Sequence, residues 1–117
     1  MAEFFRVESN QTLHVVELTL PELIDPLEFD RLNAAMLDVL DGKADHQWVL
    51  DLSRVNYMGS AMLGLIVNVR QRVKSGGGKL VLCGLSQRLL EIFRACSMER
   101  LFTIARTRPD ALRLTGR

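Results

Sequence analysis

The sequence predicts an α/β domain with a mostly parallel central sheet, a β-hairpin at its N-terminal edge and about four helices. Three observations carry this. Short apolar runs alternate with helix-length amphipathic segments from residue 25 to the C-terminal end. Only a short polar turn separates the first two strand-like runs. The chain has 117 residues, enough for one domain spanning 1–117, and shows no internal repeat, low-complexity tract or linker.

The elements follow in order. Phe4 to Glu8 and Leu13 to Leu18 read as paired strands around the turn Ser9-Asn10-Gln11. Asp25-Pro26-Leu27-Glu28 is the clearest helix start. Asp25 caps, Pro26 fits the first helical position, and Glu28 stands where a capping box places an acid. That helix runs to about Leu40 and stops at Asp41-Gly42. Trp48 to Leu52 reads as a buried strand, Ser53 to Gly59 as a turn, and Ser60 to Lys74 as a second helix stopped by three glycines. A strand over Lys79 to Cys83, a helix over Ser86 to Cys96 and a strand over Leu101 to Ala105 come next. Pro109 to Leu114 adds a last helical turn or two. Strands joined by crossover helices lie parallel, with right-handed connections.

Composition excludes several function classes. Fifteen Lys and Arg face 14 Asp and Glu, a net charge of +1, which argues against a general nucleic-acid binder. No apolar stretch approaches the roughly 18–20 residues that span a bilayer, and the N-terminus lacks a signal-peptide pattern, so a cytoplasmic domain is expected. Cys83 and Cys96 are too few for a disulfide framework and read as buried free thiols. His14 and His46 stand far from any Cys in the sequence, so no metal is expected, and His46 reads as a solvated loop residue. The glycines at 76–78 follow a helix instead of opening one, which rules out a phosphate-cradling loop.

A search for catalytic constellations finds little. Asp51, at the end of a buried strand, is read as tethering the following turn rather than as an acid catalyst. The informative region is Asp51 through Gly64, where a strand leaves the sheet and a helix begins at Ser60. Loops beyond strand C-termini are where sites collect in open α/β sheets. Ser60 there has two readings, an N-cap serine or an exposed functional hydroxyl at the positive end of a helix dipole. On a helical wheel Met62, Leu65, Ile66, Val69 and Val73 form the core-facing stripe. Leu63 and Val67 fall off that stripe, on the side of Ser60 and Gly64. They either pack against a neighbouring helix or join an exposed patch for a protein partner.

The run Val49-Leu50-Asp51-Leu52-Ser53, the loop Val55-Asn56-Tyr57-Met58 and the helix start Ser60 through Gly64 resemble the central motif of STAS domains. More narrowly, they resemble the bacterial anti-sigma factor antagonists. Ile24-Asp25, Gly78 through Leu85 and Leu89 through Phe102 are similar to the family's other segments, so the likeness covers most of the chain. It implies a STAS-like fold and a non-enzymatic switch. The serine at the position of Ser60 would be phosphorylated by an anti-sigma factor that is also a serine kinase, and a serine phosphatase would reset it. The unphosphorylated form would bind that kinase. Asp25, Met58, Gly59, Ser60, Ala61, Leu63, Gly64 and Val67 would form the partner surface, with no cofactor, no nucleic acid or membrane contact, and a monomer or weak dimer. Where family members typically read Asp-Ser-Ser-Gly-Leu-Gly, this chain reads Gly59-Ser60-Ala61-Met62-Leu63-Gly64. The alternative is a STAS scaffold, or a transporter or stress-complex module, that binds partners without phosphorylation.

Overall fold

In the computed structural model, which describes residues 4–115, five strands form one sheet in the order of the chain. The elements are β1 (Phe5–Asn10), β2 (Leu13–Thr19), α1 (Pro26–Leu40), β3 (Gln47–Arg54), α2 (Ser60–Ser75), β4 (Lys79–Cys83), α3 (Gln87–Ala95), β5 (Thr103–Ala105) and α4 (Arg108–Thr115). β1 runs antiparallel to β2, and every later neighbour is parallel. The expected architecture is therefore the observed one.

Strand periodicity assigns the two faces of the sheet. Trp48, Leu50 and Leu52 of β3 enter the larger core together with Leu32 and Met36 of α1, Ile66 and Val69 of α2, and Leu89 and Phe93 of α3. Val49 points the other way, into a smaller cluster with Val15, Val81, Cys83, Ala105 and Ala111 of α4. Three helices thus cover one face, and α4 packs across β3, β4 and β5 on the other.

Local chemistry explains the element ends. The hairpin turns two residues later than expected, at Gln11-Thr12, with Gln11 in the left-handed region at φ 58°. β1 consequently extends to Asn10. Ser86 does not begin α3 but caps it, its hydroxyl accepting the Leu89 N–H at 3.1 Å. β5 is shorter than the expected run because the Leu101 N–H donates to the Met98 carbonyl and holds that stretch in a turn. Gly78 is required, since a Cβ there would stand 2.3 Å from the His46 carbonyl oxygen.

Two expectations about individual side chains fail. Cys96 is exposed, because α3 ends at Ala95 and the chain turns outward there; only Cys83 is buried. His46 is not a freely solvated loop residue. The β2–β3 register brings it to His14, with His14 Nε2 and His46 Nδ1 2.8 Å apart, and Ser9 Oγ lies 2.7 Å from His14 Nδ1. His14 is buried against Trp48, their ring centroids 4.4 Å apart.

Candidate functional site

β2, β3 and β4 are parallel, so their C-terminal ends share one rim with the starts of α1, α2 and α3. Side chains stitch the three loops of that rim together. One Glu22 carboxylate oxygen accepts from Asn56 Nδ2 at 3.2 Å and from Arg88 at 3.1 Å, and the Arg88 guanidinium lies 5.2 Å over the Tyr57 ring. Gly84, at φ +75°, lets the exits of β3 and β4 approach. A Cβ there would meet Ser53 Cβ at 2.9 Å and Asp51 Oδ1 at 3.0 Å.

At the centre of this rim α2 begins without a side-chain cap. Gly59 occupies the N-cap position in extended backbone, and the first turn holds no acidic residue. The N-cap reading of Ser60 is thereby overturned: Ser60 is the first helical residue and is exposed. The Ser60, Ala61 and Met62 N–H groups come too early in the helix to have intrahelical acceptors. Their partial positive charge lies beside the Ser60 hydroxyl.

The outer face of α2 is poor in side chains. Ser60, Ala61 and Gly64 are exposed, Gly59 and Val67 half-buried. A Cβ at Gly64 would have no heavy atom within 4 Å, so nothing inside the domain demands glycine there. The predicted core stripe of Met62, Leu65, Ile66, Val69 and Val73 is buried throughout. Met62 therefore directs its bulk inward, away from Ser60.

Two residues assigned to the partner surface belong to the core instead. Met58 is 2% exposed and Leu63 is 7% exposed, both within the larger cluster. For Met58, the loop before α2 folds its side chain under the helix start. For Leu63, the core reaches further around α2 than a single stripe allows, since α1 packs beside α2 and widens the covered arc. Asp25 is exposed at the start of α1, and its carboxylate accepts the Glu28 N–H at 2.8 Å.

The rim also holds apolar groups that sequence reasoning missed. Leu23 is 87% exposed, and Leu27 and Tyr57 are exposed as well. The available signal was Leu23, apolar yet outside any predicted strand or helix, and Leu27, apolar in the exposed first turn of the predicted helix. Arg88 gave no local signal, because its partners Glu22 and Tyr57 lie 66 and 31 positions away in the sequence.

Asp51 tethers, as expected. One carboxylate oxygen accepts the Ser53 N–H at 2.9 Å and the other accepts from Arg108 Nε at 2.9 Å. Burial alone would raise its pKa, but the Ser53 hydrogen bonds and the Arg108 guanidinium outweigh that and hold it below the ordinary value. Cys83 is pushed up to about 12 by burial and by the Asp51 charge, so it stays a protonated thiol.

The STAS domain family model matches residues 6–111. The chain is 29% identical over 89 residues, 76% of each protein, to BtrV of Bordetella bronchiseptica, which carries the name anti-sigma factor antagonist. Its fold matches an anti-sigma factor antagonist (STAS) domain protein from Planctomyces limnophilus with a TM-score of 0.82 at 20% identity, covering 97% of this chain and 98% of that one. It also matches the phosphorylated form of the Bacillus cell fate determinant SpoIIAA, with a TM-score of 0.67 at 17% identity over 94% and 97% of the two chains. Among the described residues, no helix is long and apolar enough to cross a membrane.

Proposed function

Given that the chain belongs to the STAS domain family, we propose that it is an anti-sigma factor antagonist of the cytoplasm, acting through residues 1–117 as one domain. Its partner is an anti-sigma factor with serine kinase activity. Phosphorylation of Ser60 ends the complex, and a serine phosphatase restores it. The domain itself is no enzyme and carries no cofactor. Its partner surface is Asp25, Gly59, Ser60, Ala61, Gly64 and Val67, extended by the exposed Leu23, Leu27 and Tyr57.

One observation carries this reading: Ser60 is exposed on the uncapped first turn of α2, beside an outer face of small side chains. Such a face lets a partner approach the backbone closely. A phosphate would add about −1.5 to −2 charges at pH 7. At a helix N-terminus that charge is favourable by about 0.3–1 kcal/mol, so the fold accommodates it. A partner that buries the same spot must desolvate the phosphate, at several kcal/mol unless it is paired. The likeness to BtrV and to a protein known in a phosphorylated form supports the same reading.

A second reading, a scaffold that binds without phosphorylation, is favoured by Gly59 standing where the family typically has an acid. One experiment separates them. The chain is incubated with ATP and a histidine-kinase-like ATPase encoded beside it, and intact mass is recorded. A single phosphate on wild type and none on Ser60→Ala supports the switch. Complex formation with no added mass supports the scaffold.

A further inference from the structure

β1 ends the sheet on one side, and among the described residues no strand pairs with its outer edge. The hairpin register determines what that edge offers. Asn10 pairs with Leu13 across a two-residue turn, Glu8 with Val15 and Arg6 with Glu17, while the Thr19 N–H donates to the Phe4 carbonyl. The even-numbered residues of β1 therefore direct their backbone groups into the hairpin. Phe5, Val7 and Ser9 direct their N–H and C=O groups outward. Side chains alternate in the other sense. Arg6 and Glu8 stand on the face that carries α4, where Arg6 lies 3.4 Å from Glu17 and Glu8 lies 3.4 Å from Arg108. Both side chains remain mostly exposed, at 74% and 64%.

Opposite charges two positions apart on one edge are self-complementary in a single antiparallel register. With Val7 opposite Val7 of a second copy, the outward groups of Val7 and of Phe5 and Ser9 pair in both directions. Arg6 then faces Glu8, twice by symmetry. A shift by one cross-strand pair in either direction sets Arg6 against Arg6 or Glu8 against Glu8, which is unfavourable. Charges of one sign on an edge strand would repel a second copy; this pair selects one. The other edge, β5, has three residues and cannot present an equivalent row.

We propose that the outer edge of β1 is a homodimerisation site, joining two copies into one continuous sheet through an antiparallel β1–β1 pair centred on Val7 with reciprocal Arg6–Glu8 ion pairs. The edge lies two strands from β3, whose exit leads to Ser60, so the dimer leaves the α2 face open and does not depend on the switch.

The test is sedimentation over a concentration series up to about 1 mM at low salt, where an interface of weak affinity is still populated. Wild type moves from 13.2 kDa toward twice that mass, and added salt reverses the shift. Arg6→Glu alone and Glu8→Arg alone each weaken self-association at least about tenfold. An equimolar mixture of the two recovers a dimer, because each reversed charge meets its opposite on the other chain. Val7→Pro removes an outward N–H that the hairpin does not use, so the domain keeps its melting temperature within a few degrees and loses the dimer. Wild type remaining at the single-chain mass throughout overturns the proposal. So does a dimer that survives Val7→Pro, or two reversed variants that fail to pair when mixed while each melts like wild type.

Discussion

α1 and α2 begin at the same rim of the sheet and are finished in opposite ways. At α1, Asp25 accepts the Glu28 N–H at 2.8 Å, Glu28 accepts the Asp25 N–H at 3.3 Å, and Pro26 has no N–H to satisfy. The chain's own side chains close that helix start. At α2, Gly59 supplies no side chain, Ser60 opens the helix, and no carboxylate lies in the first turn. Its donors are left to water, or to whatever binds there. A capped start contributes to folding, while an uncapped one gives up some stability and keeps its electrostatics available.

The sharpest way to break this contrast is at Ser60. In partner titrations Ser60→Asp should weaken binding over 100-fold, a loss of about 3 kcal/mol. Ser60→Ala should bind like wild type, and both should melt within a few degrees of it. Normal binding by a folded Ser60→Asp would make α2's start as purely structural as α1's. Asp25→Ala addresses the other side. Loss of the capping box should lower stability by about 1 kcal/mol in urea denaturation. If partner affinity falls further than the unfolded fraction explains, the cap is also a contact.

Gly64→Ala should separate folding from recognition within one helix. A mid-helix glycine is about 0.5–1 kcal/mol less stable than alanine, and the added methyl meets nothing inside the domain. Thermal stability should therefore rise while partner affinity falls. Equal gains in both would remove Gly64 from the surface. The smallest effect is expected from Gly59→Asp, which has room, since a Cβ there would lie 4.0 Å from the Tyr57 ring. Making α2's start resemble α1's should add only a few tenths of a kcal/mol, measurable as a small shift in denaturation midpoint.

The same two helix starts show how far the sequence could be read. α1's cap was legible because its chemistry is complete within four consecutive residues, Asp25 to Glu28. The order of elements along the chain and the core stripe of α2 were legible for a similar reason, since period and turn residues are local signals. The start of α2 at Ser60 was legible too, but which of its two readings held was not, because whether Ser60 caps the helix or opens it depends on backbone geometry at Gly59. Leu63 was misjudged because a helical wheel gives an angle but not how much of the circumference a neighbouring helix covers. Asp51 with Arg108, and His14 with His46, are separated by 57 and 32 positions and meet only once the sheet is assembled.

The packing of the His14 ring against Trp48, tilted by 31°, gives the protein a built-in optical readout. Trp48 is the chain's one tryptophan, so its emission reports on a single place. Burial, with smaller effects of His46 and Lys43, holds the His14 pKa below 6.5. The unfolded chain therefore takes up this proton first. The stability His14 confers is complete above about pH 6.5 and declines as the pH falls from there toward the folded value. Acidification into that window should lower the melting temperature, and His14→Phe should flatten the dependence. An imidazolium forming against the indole should quench its fluorescence, so one titration would follow proton uptake and loss of structure at the N-terminal hairpin without any added label.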